Sequence, residues 1–185
     1  MRNRVLKRLS YLFTGESMSL IMFVFISYLV NYTYSDLHLY SLFSFWSSFL
    51  LLEFILLQGT IYWFVKWKRL KRENTSVAPI TLEQPLWITK KWNLGMIIVI
   101  PVAFVADYVI WHPAVPLGFA IAGFIYVFAI LEYINYFHIQ LSYDNRADIN
   151  SLKQTKRFKQ ACLSKEFKRL GNLEADGRKA IMEKD

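Results

Sequence analysis

Four long apolar stretches, separated by short polar or basic segments, make up most of the chain. They cover residues 17–34, 39–65, 94–112 and 116–140 approximately. A helix needs about 20 apolar residues to cross about 30 Å of hydrocarbon, and each stretch approaches or exceeds that length. The pattern therefore predicts an all-α integral membrane protein in which four transmembrane helices form two hairpins.

Composition supports the same class of protein. Of the 185 residues, 55% are hydrophobic and 17% are aromatic, which is more than an ordinary soluble domain contains. The net charge is +8, and its basic residues lie in blocks between the apolar stretches. A soluble nucleic-acid-binding domain would instead interleave basic residues with its core. We therefore expect the lipid bilayer, and not nucleic acid, to be the main partner.

The distribution of Lys and Arg predicts the orientation of the chain. Four lie before residue 15, seven lie within 66–92 and eleven lie within 143–185, which accounts for all 22. Basic residues concentrate in the cytosolic loops of membrane proteins. The sequence thus predicts that both termini are cytosolic, in the cell membrane, with a bacterial inner membrane or plasma membrane as the expected location.

The chain divides into a transmembrane domain, residues 1–142, and a basic cytosolic tail, residues 143–185. A cytosolic loop is expected at 66–92, and apolar spacing in the tail predicts an amphipathic helix over about 147–170. This tail could contact anionic lipids or dock onto a cytosolic protein. The residues expected to make these contacts are Lys153, Lys156, Arg157, Lys159, Leu163, Phe167 and Leu170.

Three carboxylates, Glu53, Asp107 and Glu132, fall inside the predicted spans. An ionised carboxylate in hydrocarbon costs several kcal/mol unless it is paired or faces water. Because these three lie at successive depths, they could form a path for protons or cations, with Asn135 and His138 near its cytosolic end. Alternatively, they are protonated groups that hold helices together, each contributing about 1 kcal/mol.

Metal, cofactor and catalytic signatures are absent from the sequence. Glu132 and His138 lie six residues apart with Asn135 midway between them, whereas a helical metal site favours Glu-x-x-His, in which the histidine follows three residues after the glutamate. The chain has a single cysteine, Cys162, and lacks a phosphate-binding glycine loop, Gly-x-Ser-x-Gly and His-Glu-x-x-His. We therefore predict no metal, no cofactor and no catalytic residue, that is, a protein that is not an enzyme.

Small residues on the fourth stretch predict a close helix contact. Gly118, Ala122 and Ala129 form a stripe that lets another helix approach, either within the bundle or between protomers of a homo-oligomer. In the third stretch, Pro101 should kink its helix or free a carbonyl, because proline lacks the N–H that the helix requires.

Two functions remain open from the sequence. The first is a membrane anchor, scaffold or signalling component for a cytosolic partner, acting as an oligomer through its basic ends. The alternative is a small proton-coupled transporter or cation-conducting channel that uses Asp107, Glu53 and Glu132. Glutamine substitutions should abolish flux in the second case, whereas removal of the tail should release a partner in the first.

Overall fold

The computed structural model describes residues 2–73, 75, 79–111, 116–141 and 160–169. Regular structure among these residues is helical, without strands. The long helices are α1 (Arg2–Thr33), α2 (Phe43–Glu73), α3 (Ile80–Trp111) and α4 (Pro116–Phe137), and a short helix, α5, covers 162–169. All four long helices are long and apolar enough to cross a membrane. The prediction of an all-α protein with four membrane-spanning helices is confirmed.

Several helices extend beyond the apolar stretches that predict them. Helix α1 runs for 32 residues from Arg2 without a break between its basic and apolar parts. Helix α2 continues to Glu73, and α3 begins at Ile80, so most of the predicted loop at 66–92 is helical. Hydropathy marks the segment that lies in hydrocarbon, whereas helical hydrogen bonds continue into the polar flanks. The predicted spans are therefore shorter than most of the helices.

The first two helices are joined by two 3-10 turns, Ser35–Leu37 and Leu39–Ser41. His38 lies between them with a left-handed backbone, φ 44°. A left-handed residue cannot continue an α-helix. A 3-10 turn follows, and Leu42 then has an extended backbone, so helix α2 begins at Phe43 and not at residue 39, where hydropathy begins the second span.

Helix α2 is central, because α1, α3 and α4 all pack against it while α3 and α4 touch each other only lightly. The structure places the predicted small-residue stripe inside this bundle, with Gly118 buried and Ala122 and Ala129 fully buried. Ala122 belongs to the same apolar cluster as Phe45 and Phe49 of α2. The stripe thus brings α4 close to α2 within one molecule.

Polar contacts join α3 to its neighbours inside the apolar layer. Gln58 and Asn93 exchange two side-chain hydrogen bonds, of 3.2 and 3.0 Å, between α2 and α3. The hydroxyl of Tyr126 donates to the backbone carbonyl of Ile97 at 2.6 Å. That carbonyl lies four residues before Pro101, so it is the one that proline leaves without a helical donor. The prediction of a carbonyl freed by Pro101 is confirmed.

The basic segments of the chain meet at one end of the bundle. The guanidinium of Arg2 donates to the backbone carbonyl of Lys71 at 3.3 Å, which joins the start of α1 to the end of α2. At the same end, Lys66 of α2 forms an ion pair of 2.9 Å with Glu166 of α5. The turn at His38 lies at the opposite end. We call the first end the basic end of the bundle.

Candidate functional site

A cavity of about 540 Å³ opens between α1, α2 and α4 near the basic end. Its lining includes two acidic side chains, Glu16 and Glu132, beside the aromatic and amide groups of Tyr136, Trp63 and Asn135. Basic side chains also line it, namely Arg8, Lys66 and Lys165. Carboxylates and cations therefore share one hollow inside a membrane-spanning bundle, which we call the carboxylate cavity.

Glu16 projects from the middle of α1 into this cavity. It faces Tyr136 and Trp63. Oxygen Oε2 of Glu16 is buried, and the side chains of Tyr136 and Trp63 lie where they can donate hydrogen bonds to this carboxylate. Room for the carboxylate comes from Gly59 of α2, where a side chain would collide with Glu16. The deep position of this carboxylate thus depends on three helices.

Glu132 enters the same cavity from α4 and interacts electrostatically with Glu16. The side-chain amide of Asn135 donates to Oε2 of Glu132 at 3.3 Å, and its oxygen accepts from the backbone N–H of Leu141 at 2.8 Å. Asn135 therefore orients Glu132 and is itself held by the chain that follows α4. His138 lies just beyond the helix, is exposed and packs beside Tyr133 with ring centres 5.3 Å apart.

The structure does not bring the three predicted carboxylates together. Asp107 lies at the opposite end from the carboxylate cavity and is fully buried. Its two oxygens accept the backbone N–H groups of Phe43 and Ser44, at 3.1 and 2.6 Å. Glu53 lies on another face of α2, in a separate groove. Of the predicted set, Glu132 and Asn135 line the carboxylate cavity.

Sequence reasoning missed Glu16 because the first span was predicted to start one residue later. A usable signal was present, since Leu12 and Leu20 lie four residues before and after Glu16. Residues four apart share one face of a helix. An unbroken helix through this region would have placed Glu16 on an apolar face, among residues that pack against α2.

Helix α5 covers one side of the cavity. Leu163 is 1% exposed and packs in the main core cluster, and Phe167 stacks on Phe137 with ring centres 6.2 Å apart. These two predicted partner-binding residues therefore contact the bundle itself. The other predicted contact residues in the tail lie outside the described residues, namely Lys153, Lys156, Arg157, Lys159 and Leu170.

An ion pair fastens α5 to the bundle, and its removal should loosen this helix. Lys66 Nζ donates to Glu166 at 2.9 Å and to the hydroxyl of Tyr62 at 2.9 Å. We expect Lys66→Met to raise the exposure of Leu163 about tenfold, since an increase of that size requires only about 1.4 kcal/mol. The measurement is the rate of maleimide labelling of Leu163→Cys in a Cys162→Ser background.

The matched control for that experiment is Lys68→Met. Lys68 is exposed and lies two residues further along α2, so its substitution removes the same charge without disturbing α5. An equal labelling rate in both variants would show that the ion pair does not hold the helix.

The paired carboxylates determine what the cavity can do chemically. Glu16 and Glu132 interact electrostatically, and two negative charges repel, so binding of a proton or a cation in the cavity is favoured. Among the described residues no group of three or more His, Cys, Asp or Glu side chains is placed to hold a metal ion. Comparisons of the chain with protein-family models, with curated proteins and with solved structures found no match.

Proposed function

We propose that the protein is a small transporter that moves protons, or a cation coupled to protons, through the carboxylate cavity. The observation that carries this proposal is the pair of carboxylates that Glu16 and Glu132 supply from different helices. Glu16 is buried beside Tyr136 and Trp63, which can donate to its carboxylate, and it also lines the cavity, so a transported ion can reach it.

The proposed orientation has both termini in the cytosol of a cell membrane, either a bacterial inner membrane or a plasma membrane. The distribution of basic residues supports it, because cytosolic loops are rich in Lys and Arg. The contacts from Arg2 to Lys71 and from Lys66 to Glu166 place three basic segments at one end. In this orientation the carboxylate cavity lies on the cytosolic side.

Each residue of the cavity has a distinct role in the proposal. Glu16 and Glu132 bind the proton or cation in alternation or together, and Asn135 positions Glu132 through its hydrogen bond. Helix α5 restricts access from the cytosol, since it covers one side of the cavity. Asp107 takes no part in this cavity, because its oxygens are bound to the backbone at the start of α2.

A flux measurement on purified protein in liposomes tests the proposal. With a potassium diffusion potential as the driving force, the wild type should acidify or alkalinise the lumen, as read by a trapped pH-sensitive dye. Glu16→Gln and Glu132→Gln should each reduce the rate by at least about tenfold, because glutamine keeps the shape of glutamate but cannot carry a proton.

Glu73→Gln is the matched control for the flux assay. Glu73 is exposed at the end of α2, so its substitution should leave the rate unchanged. A wild-type rate equal to that of protein-free liposomes under proton and alkali-cation gradients would refute the proposal, as would an unchanged rate in both cavity variants.

An anchor or scaffold for a cytosolic protein is the competing function. One surface expected for this function is the apolar face of the tail, and two of its residues, Leu163 and Phe167, pack against the bundle. Contact of the tail with anionic lipids and assembly into a homo-oligomer stay predictions. A partner that co-purifies with the full chain and is lost on deletion of residues 147–185 would favour the scaffold function.

A further inference from the structure

A second hollow, separate from the carboxylate cavity, lies along the side of the bundle. It has a volume of about 870 Å³, and no residue lines both hollows. Its walls come chiefly from α2 and α3, and several wall residues lie on the outer surface of these helices. The exposed wall residues are Leu50, Phe54, Leu57, Ile88, Trp92 and Met96. In a membrane this hollow, which we call the lateral groove, opens toward the lipid.

Glu53 is the one charged side chain among the described residues that line the lateral groove. Its oxygen Oε1 is buried and has no hydrogen-bond partner among the described residues. The nearby hydroxyl of Thr89 donates to Gln58 at 3.1 Å or to the carbonyl of Leu86 at 3.0 Å, so its single proton is already engaged. A carboxylate in such surroundings is stable in its ionised form only beside a cation.

We propose that the lateral groove binds an amphipathic organic monocation that enters sideways from the bilayer. Three features favour such a ligand. Glu53 balances the positive charge, the apolar walls accommodate the apolar groups, and the rings of Trp92 and Phe54 can interact with a cation through their faces. The volume falls within the range of about 300–1,000 Å³ that small-molecule sites occupy.

The chemistry of the groove separates this ligand from other occupants. A lipid acyl chain would fill the apolar walls but would leave Glu53 without a counter-charge. A small hydrated cation would balance Glu53 but would gain nothing from walls with almost no polar groups. A second copy of this chain would also have to bring a basic side chain to membrane depth, and the predicted spans contain no Lys or Arg. Among these occupants, only a hydrophobic cation both contacts the apolar walls and balances the charge of Glu53.

Equilibrium binding to the full chain in phosphatidylcholine nanodiscs tests the site without requiring transport. The probe is tetraphenylphosphonium, and tetraphenylborate serves as the control of nearly equal size and opposite charge. After subtraction of the uptake by empty nanodiscs, we expect saturable binding of the cation and none of the anion. Glu53→Gln should weaken cation binding by at least about tenfold, whereas Glu53→Asp should retain most of it because the charge remains.

Glu132→Gln is the second control, since it alters the carboxylate cavity and not the lateral groove. The Glu132→Gln protein should bind the cation with the same affinity as the wild type. Loss of proton flux and loss of cation binding are therefore measured in different variants and test the two proposals separately. The inference is overturned if the wild type does not bind the cation, if the anion binds equally well, or if Glu53→Gln binds unchanged. It is also overturned if Leu50→Cys, made in a Cys162→Ser background, forms a disulfide-linked dimer that excludes the cation, because the groove would then be an interface between two copies of the chain.

Discussion

Replacing Gly59 with alanine should lower the free energy of unfolding by about 1–3 kcal/mol, as overpacking of a core position does. A Cβ atom at this position would lie 2.5 Å from Oε2 of Glu16 and 2.5 Å from both Cζ and Oη of Tyr136. Tyr136 is 7% exposed, so its rigid ring has little room to move. The substitution therefore disturbs the contacts of both α1 and α4 with α2. The measurement is thermal unfolding of the purified protein in detergent.

Other helical glycines provide controls of opposite sign. A Cβ atom at Gly95 or Gly123 would meet no atom within 4 Å. Alanine favours a helix over glycine by about 1 kcal/mol, so Gly95→Ala and Gly123→Ala should leave stability unchanged or raise it slightly. In Gly59→Ala, the additional change Tyr136→Leu should restore part of the loss, because it removes the ring atoms that collide. Equal melting temperatures for Gly59→Ala and Gly95→Ala would contradict the expected packing.

Hydropathy alone predicts the four membrane-spanning helices, because each must present apolar side chains to lipid along most of its length. It does not predict where each helix ends. Helix α2 continues past residue 65 into Lys66 and Glu73, since a helix in water needs only backbone hydrogen bonds and tolerates charge. Its start at Phe43 follows the 3-10 turn at Leu39–Ser41 and the extended backbone of Leu42, which hydropathy does not reveal.

The candidate site shows a second kind of limit. Glu132 and Asn135 are found from the sequence because they interrupt an apolar stretch. Glu16 is not, because it lies beside a basic segment and looks like part of a polar flank. Its burial results from Gly59 and Tyr136, which are distant in sequence and close only once α1 and α4 pack on α2. A single sequence contains no direct record of such contacts.

Asp107 is visible in the sequence as a carboxylate within an apolar stretch, but its contact with the start of α2 is not. Its removal should lower stability more than the removal of any other single carboxylate. The first backbone N–H groups of a helix have no partner within that helix. Asp107 supplies partners for two of them, at Phe43 and Ser44, from α3 and without exposure to solvent. Leaving a buried donor unsatisfied costs about 1–3 kcal/mol, and the Ser44 donor is buried while the Phe43 donor is partly buried, so Asp107→Ala should lose about 2–4 kcal/mol of unfolding free energy.

Asp107→Asn and Asp36→Ala sharpen this prediction. Asparagine keeps one acceptor oxygen, so it should retain part of the stability. Asp36 is exposed in the adjoining turn, and its loss should change the melting temperature little. Hydrogen exchange at Phe43 and Ser44 should accelerate in Asp107→Ala and remain slow in Asp36→Ala. The proton-path hypothesis predicts a different result. If Asp107 relays protons, Asp107→Asn should abolish flux and leave stability intact. If Asp107 caps α2, the same substitution should lower stability and leave flux unchanged, so both quantities measured on one Asp107→Asn protein distinguish the two roles.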